Sequence, residues 1–214
     1  MSAKPLTGDP SEAPLVVILD DDEAVGSALS SLLRSVGYRV EVFLAPKELL
    51  QKGMPEAASC LVLDVRLPMI SGLEFQRQLA AANNRTPIVF MTGHGDIPMS
   101  VKAMKAGAVD FLAKPFRDQD MLDAVAAAIE RDRARRISEA GLDGLRRRLE
   151  TLSKREQEVM ALATAGLMNK QIAGELGLSE VTVKIHRGHV MQKMGARSFA
   201  DLVRIAETLG IRRS

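Results

Sequence analysis

The stretch VILDDDEAV, residues 17–25, joins an apolar run to four consecutive acidic residues, Asp20 to Glu23. Like charges this close repel one another, so the fold must separate or neutralise them. An apolar run that stops at carboxylates is typical of a buried strand that ends at the functional edge of a sheet. The stretch predicts a strand and then an acidic site at Asp20 and Asp21. Asp22 and Glu23 are expected to start a helix.

Short apolar runs continue to alternate with helix-period segments through the first 130 residues. They predict strands at 15–19, 39–43, 60–64, 87–91 and 109–113, and helices at 23–36, 46–52, 72–82, 97–106 and from 118 onward. Most of the runs are apolar on both faces, as buried parallel strands are. The predicted fold class is α/β, with a five-stranded, parallel, doubly wound (flavodoxin-like) domain at residues 15–131.

The rest of the chain has a different character. Residues 1–14 are expected to form a disordered tail, and residues 132–150 a helical linker in which Gly141 and Gly144 break or bend the helix. Residues 151–214 predict an all-α domain of four helices, at 153–165, 169–176, 180–194 and 198–209. Residues 1–129 carry 12 basic and 16 acidic side chains, whereas residues 151–214 carry 10 and 6. A basic second domain favours a polyanion as its partner.

Polar residues fall at the carboxyl ends of four predicted strands. Asp20 and Asp21 follow the first strand, Asp64 ends the third, Thr92 follows the fourth and Lys114 follows the fifth. Converging carboxylates favour a hard cation, and Mg²⁺ prefers oxygen ligands. A carboxylate, a metal, a hydroxyl and an ammonium together suit phosphoryl transfer, in which the carboxylate attacks and the others hold the phosphoryl oxygens.

These residues also carry a family resemblance. The motifs DD at 20–21, LDVRLPMISG at 63–72, MTGHG at 91–95 and KPF at 114–116 resemble the receiver domain of bacterial response regulators, especially the FixJ and StyR type. The resemblance implies that Asp64 is the phosphoacceptor and that Asp20, Asp21, Asp64 and the backbone carbonyl of Arg66 bind Mg²⁺. It assigns the switch hydroxyl to Thr92, the phosphoryl contact to Lys114 and the switch aromatic to Phe111. It also suggests a cis bond before Pro115. His94 is expected to be a flexible-loop residue.

The basic segment contains a second pattern, AGELGLSEVTV at 173–183. It predicts a helix, a tight turn at Gly177 and a second helix, which is the arrangement of a helix-turn-helix. On a helical wheel of the second helix, Val183, Val190 and Met194 share one direction and are expected to face the core. The opposite face and its flanks are predicted to meet DNA, through Lys184, Ile185, Arg187, Gly188, His189, Gln192 and Lys193. Of these, Ile185 suits a thymine methyl and Lys184 a guanine edge or a phosphate, while Arg187 and Lys193 suit phosphates.

LSKREQEV at 152–159, the run from 165 to 186 and MGARS at 194–198 resemble the LuxR-type helix-turn-helix of the NarL and FixJ regulators. The resemblance implies that Lys184, Ile185 and Gly188 lie against base edges. An apolar stripe marks the last helix, at Phe199, Leu202, Val203, Ala206 and Leu209. Two interpretations of the stripe stay open, burial in the core of the domain and, in part, contact between two subunits.

Together the two resemblances imply a transcriptional regulator of a two-component system, and not an enzyme. A sensor histidine kinase would phosphorylate Asp64, and the phosphorylated receivers would dimerise on operator DNA and act on RNA polymerase. We expect a bacterial cytoplasmic protein with no membrane partner, since the chain has a single cysteine, Cys60, no signal-peptide pattern and no apolar span of about 20 residues.

Two alternatives remain open. One is an aspartyl-phosphate phosphatase of the haloacid dehalogenase kind, which needs Asp-x-Asp on the first strand. The other is a LuxR-type regulator that senses a small molecule, although the 3% aromatic content offers little lining for such a pocket.

Overall fold

A computed structural model describes residues 13–93 and 97–211. The expectations for a disordered tail, apart from its last two residues, and for His94 therefore lie outside the described residues. The chain divides into two compact units, with the division between Arg135 and Arg136. No helix among the described residues combines the length and the apolar character that crossing a membrane requires.

The first unit is built on a five-stranded parallel sheet, which confirms the predicted fold class. Its strands are β1 (Leu15–Leu19), β2 (Arg39–Phe43), β3 (Ala58–Asp64), β4 (Ile88–Thr92) and β5 (Asp110–Ala113). Their spatial order is β2-β1-β3-β4-β5. The helices of this part of the chain are α1 (Glu23–Ser35), α2 (Pro46–Lys52), α3 (Gly72–Ala81), α4 (Ile97–Lys105) and α5 (Asp118–Glu150).

The central strands bury both of their faces, because side chains alternate across a strand and helices cover each side. On β1, Val17 belongs to one core cluster with Phe75 of α3, and Ile18 belongs to the other with Met121 of α5. The fully buried Cys60 also lies in the second cluster, as expected for a strand cysteine. This two-sided burial fixes the register of β1, so that its carboxyl end delivers Asp20 to the sheet edge.

Helix α1 begins immediately after the acidic cluster. The Asp22 side chain caps it, since Oδ1 accepts hydrogen bonds from the backbone N–H groups of Ala24 at 2.9 Å and Val25 at 3.3 Å. Glu23 lies in the first turn, where the helix dipole favours a negative charge. The prediction that these two acids start a helix is confirmed.

Helix α5 differs from the expectation. Gly141 and Gly144 do not break it, because the helix continues without interruption from Asp118 to Glu150. A glycine inside a helix costs about 1 kcal/mol relative to alanine. Strong helix formers surround the two glycines here, and Asp143 and Arg146 form an ion pair at 3.2 Å one turn apart. The predicted break is wrong because this local cost is smaller than the support from the flanking residues.

The second unit is helical, as predicted, with α6 (Lys154–Thr164), α7 (Asn169–Leu176), α8 (Glu180–Met194) and α9 (Phe199–Thr208). Ser153 and Glu156 form a capping box at the start of α6. Gly177 has a left-handed conformation, with φ of +66°, at the turn between α7 and α8. The core of the second unit includes Val183, Val190 and Met194 of α8 and Leu202 and Ala206 of α9. The prediction that these three residues of α8 face the core is thus confirmed, and part of the α9 stripe is buried in this core.

Candidate functional site

The carboxyl edge of the sheet gathers the acidic residues. Asp20 follows β1 directly and is fully buried, while Asp64 is the last residue of β3 and is 7% exposed. One carboxylate oxygen from each of Asp20, Asp21 and Asp64 lies within 4.8 Å of the others. β1 and β3 are hydrogen-bonded neighbours, and this pairing brings the acids together although more than 40 residues separate them along the chain.

Lys114 neutralises part of this negative charge. Its Nζ donates to Asp20 Oδ2 at 2.7 Å and to Asp64 Oδ2 at 2.8 Å. Burial alone would lower the pKa of Lys114, but the hydrogen bonds and charges of the two aspartates outweigh burial, and the net effect raises that pKa above its ordinary value. The lysine is therefore a fixed cation between two carboxylates.

Backbone groups fix the other oxygen of each buried aspartate. The N–H of Asp22 donates to Asp20 Oδ1 at 2.9 Å, and the N–H of Arg66 donates to Asp64 Oδ1 at 3.0 Å. Each carboxylate is thus oriented by one backbone donor and by Lys114. The described hydrogen bond of Arg66 involves its N–H, and the role of its carbonyl as a metal ligand stays a prediction.

Thr92 and Phe111 occupy the neighbouring strands. Thr92 ends β4 and is fully buried, and its carbonyl accepts a hydrogen bond from the Lys114 N–H at 2.7 Å. Phe111 lies on β5, half-buried against the core, with its ring centroid 6.3 Å from that of Phe90. The Lys114–Pro115 bond is cis, as the resemblance suggested. The five strand-end residues predicted from the sequence thus share one edge, and their roles stay predictions.

Gly72 is a constraint on this edge that the sequence analysis missed. A Cβ atom at this position would lie 2.4 Å from the backbone oxygen of Asp64. The Gly72 N–H also donates to the Val65 carbonyl at 2.8 Å, which closes the loop between β3 and α3. A glycine directly after the cap residue Ser71 gives no sequence signal of its own, because only the folded loop brings it against Asp64.

The second unit presents the predicted DNA-contacting face of α8. The exposed residues of this face are Lys184, Ile185, Gly188, His189, Gln192 and Lys193. The Ile185 residue is 52% exposed although its side chain is apolar. An exposed apolar side chain among polar neighbours suits contact with a thymine methyl.

Arg187 and Lys193 have partners within the unit. Arg187 Nη1 donates to Asn169 Oδ1 at 2.7 Å, and its guanidinium lies 4.8 Å from the ring centroid of Phe199. Lys193 Nζ donates to Glu156 Oε2 at 2.7 Å and to the Thr151 carbonyl at 3.2 Å. The sequence predicted phosphate contacts for both cations but neither of these internal contacts, which hold the two side chains in place.

Glu156 is a buried residue of α6 that contacts both the start of its own helix and α8. It is 4% exposed, its Oε2 accepts a hydrogen bond from the Ser153 N–H at 2.8 Å, and its Oε1 lies 3.4 Å from His189 Nδ1. The hydrogen bond from Lys193 and those from Ser153 outweigh burial and lower the pKa of Glu156 to about 2. Glu156 is also the third helical residue of the capping box at the start of α6.

Comparison with known proteins defines the class to which this arrangement belongs. Residues 16–126 match the family described as "Response regulator receiver domain", and residues 150–206 match "Bacterial regulatory proteins, luxR family". The chain belongs to the response regulators that combine a receiver domain with a LuxR-type DNA-binding domain, as predicted.

Relatives match over nearly the whole chain. Nodulation protein W of Bradyrhizobium diazoefficiens is 59% identical, with 94% of this chain and 88% of that protein covered. The transcriptional regulatory protein FixJ of Azorhizobium caulinodans is 42% identical, with 94% and 95% covered. Among solved structures, the response regulator StyR is 50% identical with a TM-score of 0.81, and 91% of this chain and 98% of that chain are covered.

This membership establishes the general function. The family consists of transcriptional regulators of two-component systems, so a histidine kinase and DNA are the partner classes that it implies. The second alternative is a LuxR-type regulator with a small-molecule-sensing domain. The residues that such a domain would occupy match the receiver family instead.

Proposed function

We propose that Asp64 accepts a phosphoryl group from the phosphohistidine of a sensor kinase. The observation that carries the proposal is the position of the Asp64 carboxylate, which lies at the carboxyl end of β3 with Oδ2 2.8 Å from Lys114 Nζ and with Asp20 and Asp21 beside it. Asp20 is fully buried and is less accessible to a donor protein than Asp64.

The transfer needs one bond to form and one to break. An oxygen of Asp64 attacks phosphorus, the bond between phosphorus and the kinase imidazole breaks, and the imidazole leaves with the electron pair. Lys114, already 2.8 Å from Asp64 Oδ2, then moves its contact to a phosphoryl oxygen. The Thr92 hydroxyl, at the end of the adjacent strand, is the second contact for the new group.

The acidic edge fits Mg²⁺, since its donors are oxygens and one oxygen from each of three carboxylates lies within 4.8 Å of the other two. Asp20, Asp21, Asp64 and the carbonyl of Arg66 would hold the ion. When bound, Mg²⁺ neutralises charge on the phosphoryl oxygens and orients them. The Lys114 ammonium contacts both Asp20 and Asp64, so its charge would oppose that of an ion bound at this edge.

The phosphoryl group changes the balance between two receiver conformations. It draws in Thr92 and Lys114, Phe111 turns further inward, and the surface formed by residues 97–130 changes shape. Two receivers then pair, which presents two α8 helices to two half-sites of double-stranded operator DNA. The bound dimer acts on RNA polymerase in the bacterial cytoplasm, where the chromosome lies.

The DNA-contacting face combines base readout with phosphate contacts. Lys184, Ile185 and Gly188 meet base edges, while His189 and Gln192 extend the same face. Arg187 and Lys193 contact phosphates from positions already held by Asn169 and Glu156. An Ile185→Ala substitution is expected to weaken operator binding more than binding to unrelated DNA, because it removes an apolar base contact and no charge.

Phosphorylation of single-residue variants tests whether Asp64 is the phosphoacceptor. The full chain is incubated with a small phosphodonor and Mg²⁺, and incorporation is measured by intact-protein mass. Asp64→Asn should abolish incorporation, because an amide oxygen is a poor nucleophile. Asp22→Asn is the matched control, since it removes one charge from the same cluster while asparagine still caps α1.

Two results would reject the assignment. One is full phosphoryl incorporation by Asp64→Asn. The other is a loss of incorporation in Asp22→Asn as complete as in Asp64→Asn. Footprinting on a genomic DNA library with and without the phosphodonor then tests the switch, and binding that is identical in both states would contradict it.

A further inference from the structure

A second group of potential ligands lies in the DNA-binding unit, far along the sequence from the phosphoacceptor. It consists of Glu156 of α6 with His186 and His189 of α8. One ligand atom from each residue lies within 4.8 Å of the other two. Neither phosphoryl transfer nor the pairing of receivers uses these three side chains together.

The two oxygens of Glu156 face different partners. Oε2 accepts hydrogen bonds from the Ser153 N–H at 2.8 Å and from Lys193 Nζ at 2.7 Å. Oε1 lies 3.4 Å from His189 Nδ1. The capping box and the lysine therefore occupy Oε2, while Oε1 faces His189.

The two histidines present a matching pair of nitrogen donors. They are three residues apart on α8, and this spacing places them on one side of the helix. His186 Nδ1 is buried and has no hydrogen-bond partner among residues 13–93 and 97–211. A buried imidazole nitrogen without a partner is costly, and a bound cation would remove that cost.

A simpler interpretation assigns Glu156 a structural role only. Its contacts with Ser153 and Lys193 explain why a carboxylate is buried at this position. They do not explain why ligand atoms of two imidazoles lie within 4.8 Å of this carboxylate, one of the imidazoles having a buried nitrogen with no partner among the described residues. The convergence is the feature that points to a ligand.

We propose that Glu156, His186 and His189 bind a zinc-class transition-metal dication, with water at the remaining position. Two imidazoles and one carboxylate are a ligand set that Zn²⁺ uses in proteins, and nitrogen donors disfavour Mg²⁺. The neighbouring Lys193 ammonium opposes the metal charge and limits the affinity. His189 is exposed on the predicted DNA-contacting face. A bound ion would therefore hold this part of the face in position and would add positive charge beside it, so that DNA binding depends on the metal concentration.

Zinc titration of the full chain tests the site. Zn²⁺ affinity is measured by competition with a chromophoric chelator, in millimolar Mg²⁺ so that the acidic edge of the receiver is occupied. The parent chain should bind one Zn²⁺, and His189→Gln and His186→Gln should each weaken binding at least about tenfold. His94→Gln is the matched control, because it changes the one remaining histidine of the chain, and its affinity should equal that of the parent.

Two further measurements separate metal binding from a structural role. Lys193→Gln should bind Zn²⁺ more tightly than the parent, since it removes the opposing charge, and a structural carboxylate predicts no such gain. Co²⁺ in place of Zn²⁺ should give a visible absorption band that His189→Gln lacks. His189 is exposed, so its glutamine variant is expected to fold, which circular dichroism checks.

Parent-level affinity in His189→Gln would overturn the proposal. So would the absence of Zn²⁺ binding by the parent at micromolar concentrations, or weaker binding in Lys193→Gln. None of these results depends on phosphorylation of Asp64.

Discussion

Lys114 shows how single side chains define the receiver site. Its ammonium contacts Asp20 at 2.7 Å and Asp64 at 2.8 Å, and thereby joins residues 94 and 50 positions away in the sequence. Without a cation between them, two largely buried carboxylates would repel one another and remain incompletely hydrogen-bonded. The lysine therefore balances part of the charge of the two carboxylates, and we expect it to compete with a bound metal ion for them.

Substitution of Lys114 by methionine tests this balance. In metal-free buffer the free energy of unfolding should fall by about 1–3 kcal/mol, because charged partners lose their hydrogen bonds. Mg²⁺ should restore part of the loss and should bind more tightly than to the parent. Urea unfolding followed by the fluorescence of Tyr38 reports the receiver selectively, since the chain has one tyrosine and no tryptophan.

The control for this experiment is Lys105→Met, at an exposed lysine at the end of α4. Its effect on stability should stay within about 0.5 kcal/mol. If Lys114→Met matched the control in metal-free buffer, the ammonium would not be stabilising the carboxylates.

At the scale of elements, the connection from β3 to α3 determines where the Asp64 backbone lies. Ser71 caps α3, Gly72 packs against the Asp64 carbonyl, and the Gly72 N–H closes the loop on Val65. The sequence predicts the strand and the helix correctly. It does not reveal that the loop between them leaves no room for a side chain at Gly72, the first residue of α3.

A Gly72→Ala substitution should therefore lower the free energy of unfolding and slow phosphorylation of the receiver. The added Cβ meets backbone at 2.4 Å, so the loop must shift, at a cost of about 1–3 kcal/mol. The shift moves Asp64 and should slow phosphoryl incorporation. Gly93→Ala, where an added Cβ has no neighbour within 4 Å among residues 13–93 and 97–211, is the steric control for unfolding measured by Tyr38 fluorescence. Equal stability of the two variants would argue against the close approach.

The continuity of α5 gives a second prediction at this scale. An added Cβ at Gly141 or Gly144 meets nothing within 4 Å, so alanine there should raise helix stability by about 0.5–1 kcal/mol at each site. Gly166 has a φ of +94°, and Gly166→Ala should have the opposite effect. Thermal unfolding followed by circular dichroism compares the three variants. Destabilisation by alanine at 141 and 144 would indicate that these glycines form a bend.

At the scale of the whole molecule, one chain carries an acidic receiver unit and a basic unit of the LuxR DNA-binding type. The units are joined in sequence through the 33 residues of α5, and each has core clusters of its own. We propose that the first unit regulates the second through a change in the receiver that alters how two chains associate. The proposed device is dimerisation through residues 97–130, driven by phosphate on Asp64.

Sedimentation velocity tests the proposed dimerisation directly. With a phosphodonor and Mg²⁺, the parent chain should shift from monomer to dimer, while Asp64→Asn should remain a monomer under the same conditions. Asp22→Asn should dimerise like the parent. A dimer fraction that is the same with and without the phosphodonor would exclude phosphorylation-driven assembly, even if Asp64 is the acceptor.

The sequence by itself determined the parallel sheet, the four helices of the second unit and the strand-end residues Asp20, Asp21, Asp64, Thr92 and Lys114. These follow from hydrophobic periodicity and strand polarity, which are local properties of the chain. It could not determine that Lys114 bridges two aspartates, that Gly72 touches the Asp64 backbone, or that Glu156 meets two histidines of α8. Those contacts join residues distant in sequence, and only the packing of one element against another brings their atoms within bonding distance.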